Sequence, residues 1–301
     1  MRVAAIDIGS YSVRMTVAEV KGGSITVVKE IGRITALAKD LKDTGRLRED
    51  RIKETLEVLK YYMEEARRLR VRKIMAVGTE ALRKAENADE FLKAIREKTG
   101  IEVKIISPEE EGRLAFLAVA YSLKPGGYCL VVDQGGGSTE FVFGKDLSPE
   151  RVISLPVGIV NLTEGFLRHD PPLEEEISKL REFLRESLEP LRCGVDEIVG
   201  LGGTITTLSA LVHGIHPYDP SKVHGSTLTL DEISGWVKTL APLPSRERAR
   251  RFPQIEDRRA EVILSGMVMF EEVLKVFGKE KVRVSDWGVK QGLIVRIILD
   301  R

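Results

Sequence analysis

One motif occurs twice in this chain. Ala4-Ala5-Ile6-Asp7-Ile8-Gly9-Ser10-Tyr11-Ser12-Val13-Arg14 aligns with Leu130-Val131-Val132-Asp133-Gln134-Gly135-Gly136-Gly137-Ser138-Thr139-Glu140. Asp7 falls on Asp133, Gly9 on Gly135, Ser12 on Ser138 and Arg14 on Glu140. Each copy is an apolar strand that ends in an aspartate and a glycine-rich turn, then enters a hairpin. Each opens its half of the chain. At 301 residues there is room for two domains of about 150. A duplicated α/β domain explains both the repeat and the length.

The remaining pattern alternates strands and helices. Strands are predicted at 3–8, 15–20, 24–29, 73–77 and 103–106, with a helix over 52–69 and a charged helix ending near Lys98. Ser107-Pro108-Glu109-Glu110 reads as a capping box with proline in the first turn, opening a helix to Leu123. Lys124-Pro125-Gly126-Gly127 is the best linker, dividing the chain into domains 1–124 and 125–301. The pattern then restarts with strands at 129–133, 139–143, 152–155 and 198–201. Helices follow at 173–191, 206–212, 231–240 and 258–277. The strand 282–285 precedes a terminal helix, which could pack back on the first domain.

Composition excludes several classes. Net charge is +1, so any anion site must be built locally. No apolar run reaches the roughly 20 residues of a membrane span, and the N-terminus runs straight into a strand without a leader, so a cytoplasmic protein is expected. Cys129 and Cys193 read as small core residues.

A strand ending in a glycine-rich turn presents convergent backbone N–H groups, a nest suited to phosphate. Ser10, Ser12, Ser138 and Thr139 add hydroxyls around Gly135, Gly136 and Gly137. Arg14 suits a phosphate, whereas its counterpart Glu140, beside Asp133, suits a hard divalent cation such as Mg²⁺. An ordinary hairpin turn is the bland alternative for either copy. A third glycine loop, Gly202-Gly203-Thr204, ends a strand and opens a helix, where an anion is welcome. It contains no G-x-G-x-x-G dinucleotide pattern.

Hydrolysis of a phosphoanhydride needs a group that positions or deprotonates water. Glu111, one turn into its helix and next to Gly112, is the candidate; complementing the helix dipole is the alternative for all three neighbouring glutamates. Arg83, in Thr79-Glu80-Ala81-Leu82-Arg83, could reach the same place or be surface charge. His213 and His216 lack carboxylate or cysteine company and read as loop or core residues. The arginines of 246–259, including Arg259, form either a solvated helix face or a grip on a long polyanion.

Together these segments resemble the exopolyphosphatase/guanosine pentaphosphate phosphohydrolase (Ppx/GppA) family, in a short two-domain form. That family belongs to the actin, Hsp70 and sugar-kinase superfamily. Residues 7–14 resemble its first phosphate loop, 132–140 its second, 79–83 its T-x-A-x-R segment, 109–113 the segment carrying its catalytic glutamate, and 202–204 its third loop. The resemblance implies duplicated actin-like (ribonuclease H-like) domains with an interdomain cleft. It implies Mg²⁺-dependent release of terminal phosphate from polyphosphate or from guanosine pentaphosphate, the latter yielding the tetraphosphate of the stringent response. Glu111 would be catalytic and Asp133 and Glu140 would hold metal. Ser10, Ser12, Arg14, Arg83, Gly135, Gly136, Gly137, Ser138, Thr139, Gly203, Thr204 and Arg259 would bind phosphate. Neither nucleic acid nor membrane is expected as a partner. Larger members carry a further helical domain; here a monomer or weak homodimer is expected. The rivals are a phosphotransferase of the sugar-kinase or polyphosphate-dependent type, and a non-catalytic actin-like nucleotide switch.

Overall fold

A computed structural model describes residues 1–300. The chain divides into two compact units. The first holds residues 1–118, 135–137 and the C-terminal segment from Val289; the second holds 119–134 and 138–288.

In the first unit, β1 (Arg2–Ile8), β2 (Ser12–Lys21), β3 (Ser24–Ile34), β4 (Lys73–Gly78) and β5 (Val103–Ile105) form a sheet of order β3-β2-β1-β4-β5. The first three strands are antiparallel, and β4 and β5 run parallel to β1. β1 carries a continuous buried run from Val3 to Ile6, as a strand covered on both faces must. Helix Glu49–Arg68 closes one side with Leu56, Leu59 and Tyr62, which are buried at helical spacing. The terminal helix Val289–Leu299 also belongs to this unit: Gln291 Nε2 donates to Thr16 Oγ1 at 3.2 Å.

The second unit repeats the plan. β6 (Tyr128–Gln134), β7 (Thr139–Lys145), β8 (Ser148–Leu155), β9 (Glu197–Leu201), β10 (Thr227–Thr229) and β11 (Lys281–Ser285) form a sheet of order β10-β11-β9-β6-β7-β8. Read from β8, this is the order of the first sheet with one antiparallel edge strand, β10, added. Helix Ile263–Phe277 is buried along nearly its whole length and forms the centre of this core.

Several local expectations change. The charged helix before Lys98 is two helices, Glu80–Lys84 and Ala88–Thr99. Between them buried Asn87 accepts from the Leu47 N–H at 2.8 Å and donates to the Leu47 carbonyl at 3.0 Å. A side chain so engaged with a distant backbone fixes a break there. The helix expected over 258–277 is likewise split, into Asp257–Ala260 and Ile263–Phe277. Ser107 does cap its helix, accepting from the Glu110 N–H at 3.1 Å, but the reciprocal half of the box is absent. The Glu110 carboxylate turns instead to Lys104 and Arg296, each at 2.9 Å. Cys129 is buried as expected, whereas Cys193 is exposed; neither forms a disulfide. In the basic stretch, Arg248 is buried and donates to the carbonyls of Leu240 and Ala260, so it braces the fold rather than facing solvent. Among the described residues no helix is long and apolar enough to cross a membrane.

Candidate active site

The first unit gathers a base candidate, an arginine and both glycine turns. Strand β4 ends at Gly78 and leads into the short helix Glu80–Lys84, which carries Arg83. Strand β5 ends at Ile105 and leads through Ser107 into helix Pro108–Leu123, which carries Glu111. Because β4 and β5 are parallel neighbours, the residues following them emerge at the same, carboxyl end of the sheet. There Arg83 Nη1 donates to Glu111 Oε2 at 2.9 Å and to the Ile106 carbonyl at 2.7 Å. The side chains are 17% and 11% exposed, so the pair is largely shielded from water yet still reachable.

The first glycine turn leaves β1. Gly9 donates to the Ser12 carbonyl at 3.1 Å, closing a tight loop around Ser10 and Tyr11. The carbonyls of Ser10 and Tyr11 accept from the N–H groups of Ala38 and of Thr35 and Ala36. The loop is therefore braced from behind by its own carbonyls. Ser10 is buried, Ser12 half-buried.

Gly135, Gly136 and Gly137 lie in the same unit as this loop. A Cβ at Gly136 would lie 2.9 Å from Tyr11 Cβ and 3.1 Å from the Tyr11 backbone nitrogen. The two glycine turns therefore touch at backbone distance, an approach that only glycine permits.

Asp7 and Arg14 are register partners across β1 and β2, as Asp133 and Glu140 are across β6 and β7. Asp7 as a whole is half-buried, but its Oδ1 is covered and has no hydrogen-bond partner. Burial pushes its pKa up, against the pull of Lys290 and Arg14. Lys290, buried in the terminal helix, carries no motif, and sequence reasoning missed it. Its sequence signal is slight: a lysine in a mostly apolar helix that also carries Gln291 and Arg296.

In the second unit, Asp133 is half-buried at the end of β6. Glu140 is 1% exposed, and its Oε1 accepts from Ser138 at 2.8 Å and Ser154 at 2.7 Å. Ser154 is a further residue the sequence did not signal. The Thr139 hydroxyl turns into the core and donates to the Val157 carbonyl at 3.0 Å, so its side chain serves the fold. The third loop begins its helix at Gly203, earlier than expected. There the Arg259 guanidinium lies against the backbone: a Cβ at Gly203 would be 2.5 Å from Arg259 Cζ. Thr204 is buried beside Gly266 and Gln134, its Oγ1 without a partner.

Among the described residues no three metal-ligating side chains cluster as a cage. Asp133 and Glu140, register partners on neighbouring strands, carry the hard carboxylate oxygens that a divalent cation such as Mg²⁺ takes, and as a pair they would leave most of its coordination to other oxygens.

The model of the Ppx/GppA phosphatase family matches residues 16–301. Exopolyphosphatase 2 of Mycobacterium tuberculosis is 32% identical, the match covering 98% of each protein. A bifunctional 3-dehydroquinate synthase/phosphatase of Fusobacterium nucleatum is also 32% identical, but the chain, 97% covered, spans only 46% of that longer protein. The crystal structure of the Aquifex aeolicus Ppx/GppA family member is 54% identical, with a TM-score of 0.88 over 100% of this chain and 98% of that one. The two sheets are thus the duplicated actin-like domains that the resemblance implied. On the family match and these relatives, the chain belongs to the Ppx/GppA phosphatase family.

Proposed function

We propose that this protein is a metal-dependent phosphoanhydride hydrolase that releases terminal phosphate from inorganic polyphosphate, from guanosine pentaphosphate, or from both. The observation that carries the reading is the Arg83–Glu111 pair, set in the same unit as two touching glycine turns. A carboxylate fixed by an arginine, largely but not wholly buried, can orient a water and accept its proton. The guanidinium keeps Glu111 in one rotamer, and the Ile106 carbonyl keeps the guanidinium in place.

In this account Ser10, Ser12, Arg14 and the turn 135–137 bind phosphate in the first unit, and Gly203, Thr204 and Arg259 bind phosphate in the second. Backbone N–H groups of the first turn give up little entropy on binding because that loop is already braced. Asp133 and Glu140 would hold Mg²⁺, with Ser138 and Ser154 fixing the Glu140 rotamer. The ion would supply charge neutralisation on the phosphate oxygens. A cytoplasmic location accompanies the proposal, in keeping with two cysteines that form no disulfide.

The relatives' names, exopolyphosphatase and phosphatase, favour hydrolysis over transfer to an acceptor. The test is phosphate release from polyphosphate and from guanosine pentaphosphate, measured separately at matched Mg²⁺, with and without sugar and nucleotide acceptors. Release that needs no acceptor supports the hydrolase. Release only when an acceptor is phosphorylated supports the phosphotransferase and overturns the proposal.

A further inference from the structure

Glu80 opens helix Glu80–Lys84 and is 7% exposed. Its Oε1 pairs with Lys84, but its Oε2 is covered and has no hydrogen-bond partner. That carboxylate lies directly on the second glycine turn: a Cβ at Gly137 would be 2.6 Å from Glu80 Cδ. Lys84 reaches only Oε1, from a side chain that is 57% exposed, and leaves Oε2 on the Gly137 side without a donor. A buried carboxylate oxygen without a hydrogen-bond partner has therefore been placed against the turn proposed above to bind phosphate. Packing alone does not require it, since an uncharged side chain of the same shape would fill this space without the desolvation penalty.

We propose that Glu80 is a specificity-determining residue that makes the turn 135–137 select cation-bound phosphate over bare phosphate. The inference rests on the reading of that turn as a phosphate site. A bare phosphate group approaching Gly137 meets a like charge at a few ångströms, which weakens its binding. A phosphate that arrives with a divalent cation presents reduced negative charge, and the cation or its water can satisfy the open oxygen. Glu80 thus converts a general anion nest into one that favours the metal complex.

The test is calorimetric binding of the imido-bridged analogue of tripolyphosphate, which resists hydrolysis, to the whole protein with Mg²⁺ and with chelator. In the parent, Mg²⁺ tightens binding. In Glu80→Gln, metal-free binding should tighten about tenfold while Mg²⁺-bound affinity stays within about twofold, so the Mg²⁺ enhancement shrinks about tenfold. Glu80→Asp, which keeps the charge, should retain most of the parent's enhancement. Glu86→Gln, on an exposed carboxylate of the same segment, should leave it unchanged. An enhancement in Glu80→Gln equal to the parent's overturns the inference even when both proteins bind the analogue. If the parent binds no analogue under either condition, the phosphate-site reading itself has failed and takes the inference with it. A purely structural Glu80 would lower thermal stability and shift both affinities together, which also overturns it.

Discussion

Arg83 holds Glu111 through a single guanidinium nitrogen, Nη1, which donates to Glu111 Oε2 at 2.9 Å and to the Ile106 carbonyl at 2.7 Å. Arg83→Gln should therefore impair both rate and stability. The loss of orientation should lower kcat by about 10- to 100-fold. Removing the cation from a largely buried carboxylate should lower stability by about 1–3 kcal/mol. Steady-state kinetics beside thermal unfolding check this, and normal turnover in a folded variant would mean that Glu111 needs no such support.

Glu140 accepts from two serine hydroxyls, so its charge and its hydrogen bonding can be separated. Glu140→Gln retains an amide oxygen for Ser138 and Ser154 and should stay close to parental stability. It should need about tenfold more Mg²⁺ for half-maximal activity, since hard cations prefer charged oxygens. Glu140→Ala should in addition lose about 1–3 kcal/mol by stranding buried hydroxyls. An unchanged Mg²⁺ titration in Glu140→Gln would place the cation elsewhere.

Asp7 gives a pH signature. Its folded pKa is raised above 3.8, chiefly by burial. Through the window above 3.8 the folded state thus binds more protons than the unfolded one, and stability falls as pH rises. Asp7→Asn removes that contribution. The Tm difference between variant and parent should move in the variant's favour as pH climbs from below 4 through this window. Parallel Tm curves would show that Asp7 titrates normally.

Two glycines separate space from propensity. At Gly292 in the terminal helix, a Cβ would lie 2.6 Å from the Leu114 carbonyl carbon, where backbone cannot yield. Gly292→Ala should destabilise by about 3 kcal/mol. Gly165, in helix Ile159–Phe166, has nothing within 4 Å of its Cβ position, and Gly165→Ala should stabilise by about 0.5–1 kcal/mol. Chemical denaturation of the two variants decides it; similar effects at both positions would contradict the packing described.

The repeat made the duplicated α/β plan legible, because strand, aspartate and glycine turn recur at fixed spacing, but the strand order depends on which distant segments pair and was not legible. Glu111, Arg83 and Gly203 were legible because each sits where a strand gives way to a helix. Asp7 was visible only as half of the repeat, and its electrostatic neighbour Lys290 was not visible at all. Their relation depends on a helix 283 positions later in the chain packing onto β1, and no local pattern encodes that. The same holds for Glu80 and Gly137. Thr139 had the right residue type and place, yet alternation along β7 turns its hydroxyl inward to Val157. Helix breaks at Asn87 escaped notice because the residue that sets them is bonded to Leu47, far away in sequence.

The central claim is that Glu111 serves the chemical step, and its isosteric replacement tests this most directly. Glu111→Gln can still accept from Arg83, so fold and substrate binding should persist. Phosphate release from polyphosphate, or from guanosine pentaphosphate if that is the better substrate, should be measured for parent and variant at saturating Mg²⁺. The account predicts kcat lower by roughly 10²–10⁴-fold, with KM and Tm nearly unchanged. Near-parental turnover in Glu111→Gln would contradict it.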